Sequence, residues 1–196
     1  MIKIVDYALN FNEPLWNQFQ NHVITTTDEL KYNYVELNPK DFLSFPVVII
    51  DNKIVCFSAL QLSKDWWGEG IGRVSTRMWI HPDYRHKGKF TSGAKFLNTT
   101  YCLPLQLAKA KIIGLDCVFI SREHNLIAFN EYLKLIKVNC NTDFVMEPTK
   151  YALNGSCYVD DPESMKQWVM LHHLTDNGPI RWKKQMKEFA LLENTF

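Results

Sequence analysis

Residues 82–91, PDYRHKGKFT, set Arg85, His86, Lys87 and Lys89 around Gly88 and end on the hydroxyl of Thr91. An apolar, strand-like run, RVSTRMWIH (73–81), leads in, and a helical pattern starts near Phe90 or Thr91. The first turn of a helix leaves backbone N–H groups without intrahelical partners. The helix dipole adds positive potential at the same end, so the arrangement predicts a phosphate-type anion site. Gly88 lets the main chain approach a ligand closely, and the basic side chains add charge-assisted donors. Phe90 carries a large side chain but keeps its backbone N–H. A basic solvated turn capped by Thr91 has the same composition, and the loop alone leaves both readings open.

A second constellation, Asn125-x-x-Ala128-x-x-x-Tyr132, stands in NLIAFNEYLKL. A phenol can serve as a general acid. Asn125 equally suits the N-cap of its helix, and Tyr132 an amphipathic face with its hydroxyl at the surface. Taken together, IHPDYRHKGKF and NLIAFNEY, with the strand-like GLDCVFIS between them, resemble the GNAT N-acetyltransferase superfamily. Its cofactor loop follows V-x-P-x-[YF] and then [QR]-x-x-G-x-[GA]. Ile80, Pro82, Tyr84, Arg85 and Gly88 match, and Phe90 occupies the second small position.

The resemblance implies an acyl-CoA cosubstrate, acetyl-CoA in the simplest case, and direct acyl transfer to a small-molecule or peptide amine in a ternary complex. It implies that the main chain of Arg85, His86, Lys87, Gly88, Lys89, Phe90 and Thr91 holds the pyrophosphate. It sets Met78 and Ile80 along the pantetheine arm, with an oxyanion donor near Met78, and Asn125 on the cofactor arm. Tyr132 becomes the acid that protonates the departing thiolate. The general base is unassigned: Val74 stands where some members carry a carboxylate, and nothing in the sequence positions Glu69 or Asp116. Phe90 and the missing base also suit a non-catalytic binding or regulatory protein of the same fold that has lost CoA use.

These residues need a scaffold, and the apolar periods predict one. Ile2–Val5 reads as a short strand. Asn12 then caps a helix with Glu13 and Pro14 in its first turn and Leu15, Phe19 and Val23 on its apolar face. Residues 28–45 are mixed. VVII (47–50) and KIVCFSALQL (53–62) form a hairpin across Asp51-Asn52. Alternation puts Val55, Phe57 and Ala59 on one face and Cys56, Ser58 and Leu60 on the other, as in a central strand. WWGEGIG (66–72) is a loop, and in the next strand Val74, Thr76, Met78 and Ile80 share a face. Pro104 either kinks or divides the helix that follows. GLDCVFIS (114–121) is a buried strand, and 125–138 a helix with Leu126, Phe129, Leu133 and Ile136 inward.

Further strands are expected near Thr142–Met146 and Tyr151–Val159, then a helical region broken by DNGP (176–179), with Trp182, Met186 and Phe189 as its seam. The fold class is therefore α/β, GNAT-like, with a mixed, mostly antiparallel central sheet flanked by helices. Residues 1–160 form the acyltransferase-like domain. Residues 161–196 form a C-terminal helical extension, packed on that domain or at a homodimer contact.

Composition narrows the partners. The chain has 196 residues, 46% hydrophobic, enough for a sizeable core. Its formal net charge of +1 argues against nucleic acid and anionic membranes. Five cysteines without a CxxC pair, and no metal-ligand spacing, predict reduced thiols and no metal. His172-His173, adjacent on an expected helix, diverge rather than form a ligand pair. With no run near the ~20 apolar residues of a membrane span and no signal-like start, a cytoplasmic protein is expected.

Overall fold

The computed structural model of the chain describes residues 1–26, 37–62, 69–84, 96–122, 126–149 and 167–193. Strand β1 (Ile2–Asp6) pairs antiparallel with β2 (Pro46–Ile50), and β2 with β3 (Lys53–Gln61). Asp51 and Asn52 join β2 to β3 with φ of 48° and 59°, the two left-handed residues that a tight hairpin turn uses. The hairpin register shifts once: Val48 faces Cys56 and Ile49 faces Ile54, so Val55 is the extra residue of a bulge. That changes the expected faces. Ile54 joins Phe57 and Ala59 in one cluster, while Val55 packs with Cys56 in another.

The chain divides into two compact units, Met1–Gln61 with Ser75–Lys109, and Leu62–Val74 with Ala110–Phe196. In the first, helix α1 (Glu13–Thr26) starts where Asn12 Oδ1 accepts the Leu15 N–H at 3.2 Å, the expected cap. Its inward residue is Trp16, packed with Tyr7, Phe45, Phe57 and Trp79; Leu15 and Phe19 are only partly buried. The Val23 side chain lies outside the described ones. Asn38 caps a short 3-10 turn, Pro39–Asp41. A second cluster unites Val48, Val55, Cys56, Ile80, Leu97 and Cys102, so β3 is covered on both faces, as its apolar run predicts.

The helix runs on through Pro104 rather than dividing there. One π turn, Asn98–Cys102, runs into α2 (Leu103–Ile112), with the Leu103 N–H bonded to Asn98 O. Proline lacks an N–H and crowds the carbonyl four residues back, and a widened turn just before it relieves both problems. Helix α2 exits at Gly114 (φ 74°), with Leu115 N–H on Ala110 O. Gly114–Asp116 is thus an exit turn, and strand begins only at Cys117.

In the second unit, the start of β4 (Ile71–Ile80) runs parallel to β5 (Cys117–Arg122). Strand β6 (Val145–Thr149) pairs antiparallel with β7 (Gln167–His173), and β7 antiparallel with β5. The sheet order is β1-β2-β3-β4-β5-β7-β6, a mixed and mostly antiparallel sheet of seven described strands, with the helices expected beside it. Strand β7 corrects the reading of QWVMLHH as helix. Val169, Met170 and Leu171 are all fully buried, and a strand covered on both faces shows the unbroken apolar run that a buried helix also shows. The expected strand at 151–159 lies outside the described residues.

Helix α3 (Leu126–Cys140) and the C-terminal α4 (Gly178–Glu193) complete the described helices. Trp182 of α4 packs on Ile71, Cys117, Phe119, Val169 and Leu171, with Met186 beside it; Trp182 and Met186 are two of the three residues of the anticipated seam. The side chains of Phe189, Leu126 and Phe129 lie outside the described ones.

Candidate active site

Strand β4 carries the irregularity. Ser75 and Arg77 have φ of 55° and 47° although neither is glycine. A left-handed residue costs roughly 1–2 kcal/mol, and such strain persists only where its surroundings impose it. Here they do, through a closed ring of hydrogen bonds. The Ser75 N–H donates to Gln106 Oε1 at 2.8 Å, and Gln106 Nε2 donates to Ser58 Oγ at 2.7 Å. Ser58 Oγ donates to Asn98 Oδ1 at 2.5 Å, and Asn98 Nδ2 returns to Ser75 Oγ at 2.7 Å. Ser58, Asn98 and Gln106 are fully buried. The parallel ladder to β5 runs Ile71–Arg73 against Cys117–Phe119, and the irregular residues follow it directly.

Met78 comes next, partly exposed, and Ile80 is buried at the end of the strand. Their expected common face with Val74 and Thr76 does not follow from simple alternation, because the left-handed residues interrupt the pleat. Beyond Ile80 the entry to the basic loop is built firmly. The His81 N–H pairs with Val55 O at 2.8 Å, Pro82–Tyr84 form a 3-10 turn, and the Tyr84 N–H donates to His81 O at 2.9 Å. The Tyr84 ring packs against the Ile80 cluster and lies edge-on to His81 at 5.8 Å. The matched residues Ile80, Pro82 and Tyr84 therefore anchor the approach to the loop. Arg85, His86, Lys87, Gly88, Lys89, Phe90, Thr91 and Asn125 lie outside the described residues.

Tyr132 belongs to the second unit. On α3 it is 1% exposed, one turn before the fully buried Ile136, so its side chain is inward and the surface-hydroxyl reading is corrected. The Asp116 carboxylate is engaged by two partners within the second unit. Asp116 Oδ1 accepts the Thr175 hydroxyl at 2.6 Å and Oδ2 accepts Arg181 Nε. The Thr175 hydrogen bond, followed by the Arg181 guanidinium, lowers the Asp116 pKa against the opposing effect of burial. Arg181 also bonds the Glu69 carbonyl at 2.9 Å, and Val74 is buried.

Four described cysteines and the His172-His173 pair are placed as follows. Cys56 and Cys102 lie with sulfurs 3.8 Å apart, and burial pushes the Cys56 pKa well up. Burial likewise raises Cys117 to about 12 and Cys140 to about 11. His172 and His173 diverge as neighbours on a strand rather than on a helix. His172 Nδ1 bonds Asp143 O at 2.8 Å, and burial lowers its pKa.

Resemblance on two motifs gave no role to Ser58, Asn98 or Gln106. The available signal was a polar residue inside an apolar run: Ser58 in KIVCFSALQL and Gln106 in LPLQLAKA.

No protein-family model matches the sequence, and no curated protein matches it. Among solved structures the chain is similar to the GNAT-family acetyltransferase of Streptococcus pneumoniae, with 13% identity, a TM-score of 0.52, and coverage of 89% of this chain and 100% of that one. It is also similar to a Lactobacillus plantarum protein assigned as an N-acetyltransferase, with 17% identity, a TM-score of 0.50, and coverage of 89% and 99%. Identities this low speak for the backbone rather than for the chemistry, and on that ground the chain carries the GNAT acetyltransferase fold.

Proposed function

We propose that the chain is an acyl-CoA-dependent N-acyltransferase, with acetyl-CoA as donor and a small-molecule or peptide amine as acceptor. The observation that carries this reading is the main chain of β4, which leaves regular strand geometry at Ser75 and Arg77 immediately before Met78. A regular ladder spends its N–H and C=O groups on neighbouring strands, whereas a bulged one re-aims some of them at a ligand. A backbone donor held there would stabilise charge as it develops on the thioester oxygen.

In the reaction, the amine nitrogen attacks the acyl carbon, the C–N bond forms and the C–S bond breaks. The nitrogen loses its proton to ordered water, and the CoA thiolate takes one from Tyr132. The basic loop from Arg85 through Thr91, with Asn125, holds the cofactor, and Met78 and Ile80 line its arm. Direct transfer fits the thiols, since Cys56, Cys117 and Cys140 are held protonated by burial and are poor acyl carriers.

Calorimetry with acetyl-CoA tests the reading. Saturable heat is expected, together with a rise in melting temperature at excess ligand; no heat and no shift would remove the reading. Tyr132→Phe takes away only a hydroxyl. It is expected to slow turnover while preserving acetyl-CoA affinity, and unchanged turnover would strike Tyr132 from the mechanism. Binding of acetyl-CoA without transfer to any amine would favour the non-catalytic protein of the same fold.

A further inference from the structure

The polar ring on β4 is oriented in one sense. Within the ring each of Gln106, Ser58 and Asn98 donates one bond and accepts one, and the circuit starts and ends on Ser75. A directed ring of this kind is strengthened by mutual polarisation, and in a dry site every member must be satisfied. Apolar residues of equal volume would cover a strand at lower risk, so the ring is a device for geometry rather than for bulk burial.

The helix is shaped to complete it. Asn98 and Gln106 are eight residues apart, and in an unbroken α-helix, at 3.6 residues per turn, they would point about 80° apart. A π turn absorbs about one extra residue, which brings the pair to within roughly 20° of the same direction. The π turn begins at Asn98 itself and lies wholly between the two amides. Both side chains thereby reach Ser58 of β3 and Ser75 of β4, all within the first unit.

We propose that Asn98 and Gln106 are positioning residues, which set the course of β4 across Ser75–Arg77 and so aim the strand main chain near Met78 at the acyl thioester. The inference rests on the acyl-CoA reading. Ser75 is held from two directions, at its N–H by Gln106 and at its Oγ by Asn98. The N–H contact orients the peptide plane before Ser75 and the Oγ contact orients its side chain, and together they restrain the rotation between the two, which is what a residue at φ 55° needs. Neither amide needs to touch substrate for this, and an error of about 1 Å in aiming costs on the order of 100-fold in rate.

Isotope-edited infrared spectroscopy of carbonyl-labelled acetyl-CoA reads the aim directly, because a hydrogen bond to the thioester oxygen lowers its stretching frequency. The native protein is expected to displace the bound carbonyl band below that of free acetyl-CoA. Gln106→Leu is expected to return the band towards the free position while calorimetry still shows binding. A Gln106→Leu protein that binds acetyl-CoA with the native band overturns the proposal.

Gln106→Glu covers the case in which Gln106→Leu does not fold. A neutral carboxyl donates and accepts as the amide does, and ionisation removes the donor to Ser58. The displaced band is then expected at acid pH and lost as pH rises, while the native ring, with no titratable member, keeps its band throughout. A Gln106→Glu band that is native-like at every pH, including pH at which titration shows the introduced carboxyl ionised, overturns the proposal. Native protein that fails to bind acetyl-CoA overturns the function reading instead, recognisable because the native chain fails and not its variants. Native binding without a displaced band overturns the assignment of β4 to the thioester, and the positioning role with it.

Discussion

Tyr7 is fully buried, edge-on to Phe11 and Trp16 at 5.7 and 6.1 Å, and its hydroxyl has no hydrogen-bond partner among the described residues. Burial raises its pKa, the direction expected when the charged form loses solvent. Leaving such a hydroxyl unpaired costs about 1–3 kcal/mol, while the ring contributes through packing. Tyr7→Phe keeps the ring and is expected to raise stability by about 1 kcal/mol, read as a higher urea midpoint at unchanged slope. A lower midpoint would mean that the hydroxyl is satisfied in solution. Trp79 Nε1, in the same cluster, is also buried and has no partner among the described residues. At this scale sequence reading reached Asn12, whose Oδ1 accepts the Leu15 N–H as a cap should, yet it passed over Tyr7 and Trp16. An aromatic beside a loop looks the same in sequence whether it anchors a core or lies on the surface. The β-strands it packs against are distant along the chain.

Elements were legible where one local rule decides them. Asp51-Asn52 announced its hairpin because both residues tolerate left-handed angles, and they adopt φ of 48° and 59°. Asn52→Gly is therefore expected to leave the thermal midpoint unchanged or raise it slightly, and Asn52→Val to lower stability by about 1–2 kcal/mol. Equal midpoints for the two variants would show that the turn relaxes out of the left-handed region. Legibility failed where pairing decides. The bulge at Val55 reverses the phase of β3 part-way along, and only the register against β2 reveals it. The π turn before Pro104 left its choice between kink and break open in the sequence. The Ser58–Asn98–Ser75–Gln106 ring joins residues as much as 48 positions apart, beyond the reach of any local pattern. Of the proposed site, resemblance singled out Met78, Ile80 and Tyr132 as candidates, but the strain at Ser75 and Arg77 carries no signature in side chains that have no special liking for positive φ.

Each compact unit of the whole molecule has a buried apolar cluster of its own, and no helix among the described residues is long and apolar enough to cross a membrane. The second unit gathers its elements on Asp116. The Asp116 N–H bonds Gly70 O at 2.8 Å, and its carbonyl accepts Leu174 N at 2.8 Å. Its carboxylate holds Thr175 and Arg181, the latter on α4. Only 8% of the residue is exposed, so this is a mostly desolvated carboxylate, whose loss is felt more than that of a surface ion pair. The folded pKa is lowered, first by Thr175 and then by Arg181, whereas an unfolded Asp titrates near about 3.9. Acid therefore protonates the unfolded chain before the folded one. The stabilisation from Asp116 is complete above about pH 4 and is lost as pH falls through the lower folded value. Asp116→Asn removes the charge and is expected to cost about 1–3 kcal/mol at neutral pH. Urea midpoints of native and variant protein, measured between about pH 2 and pH 7, should then converge on the acid side as the native advantage titrates away. A gap that stays constant down to pH 2 would mean that Asp116 gains nothing from its charge, and that the Thr175 and main-chain bonds alone tie the unit together.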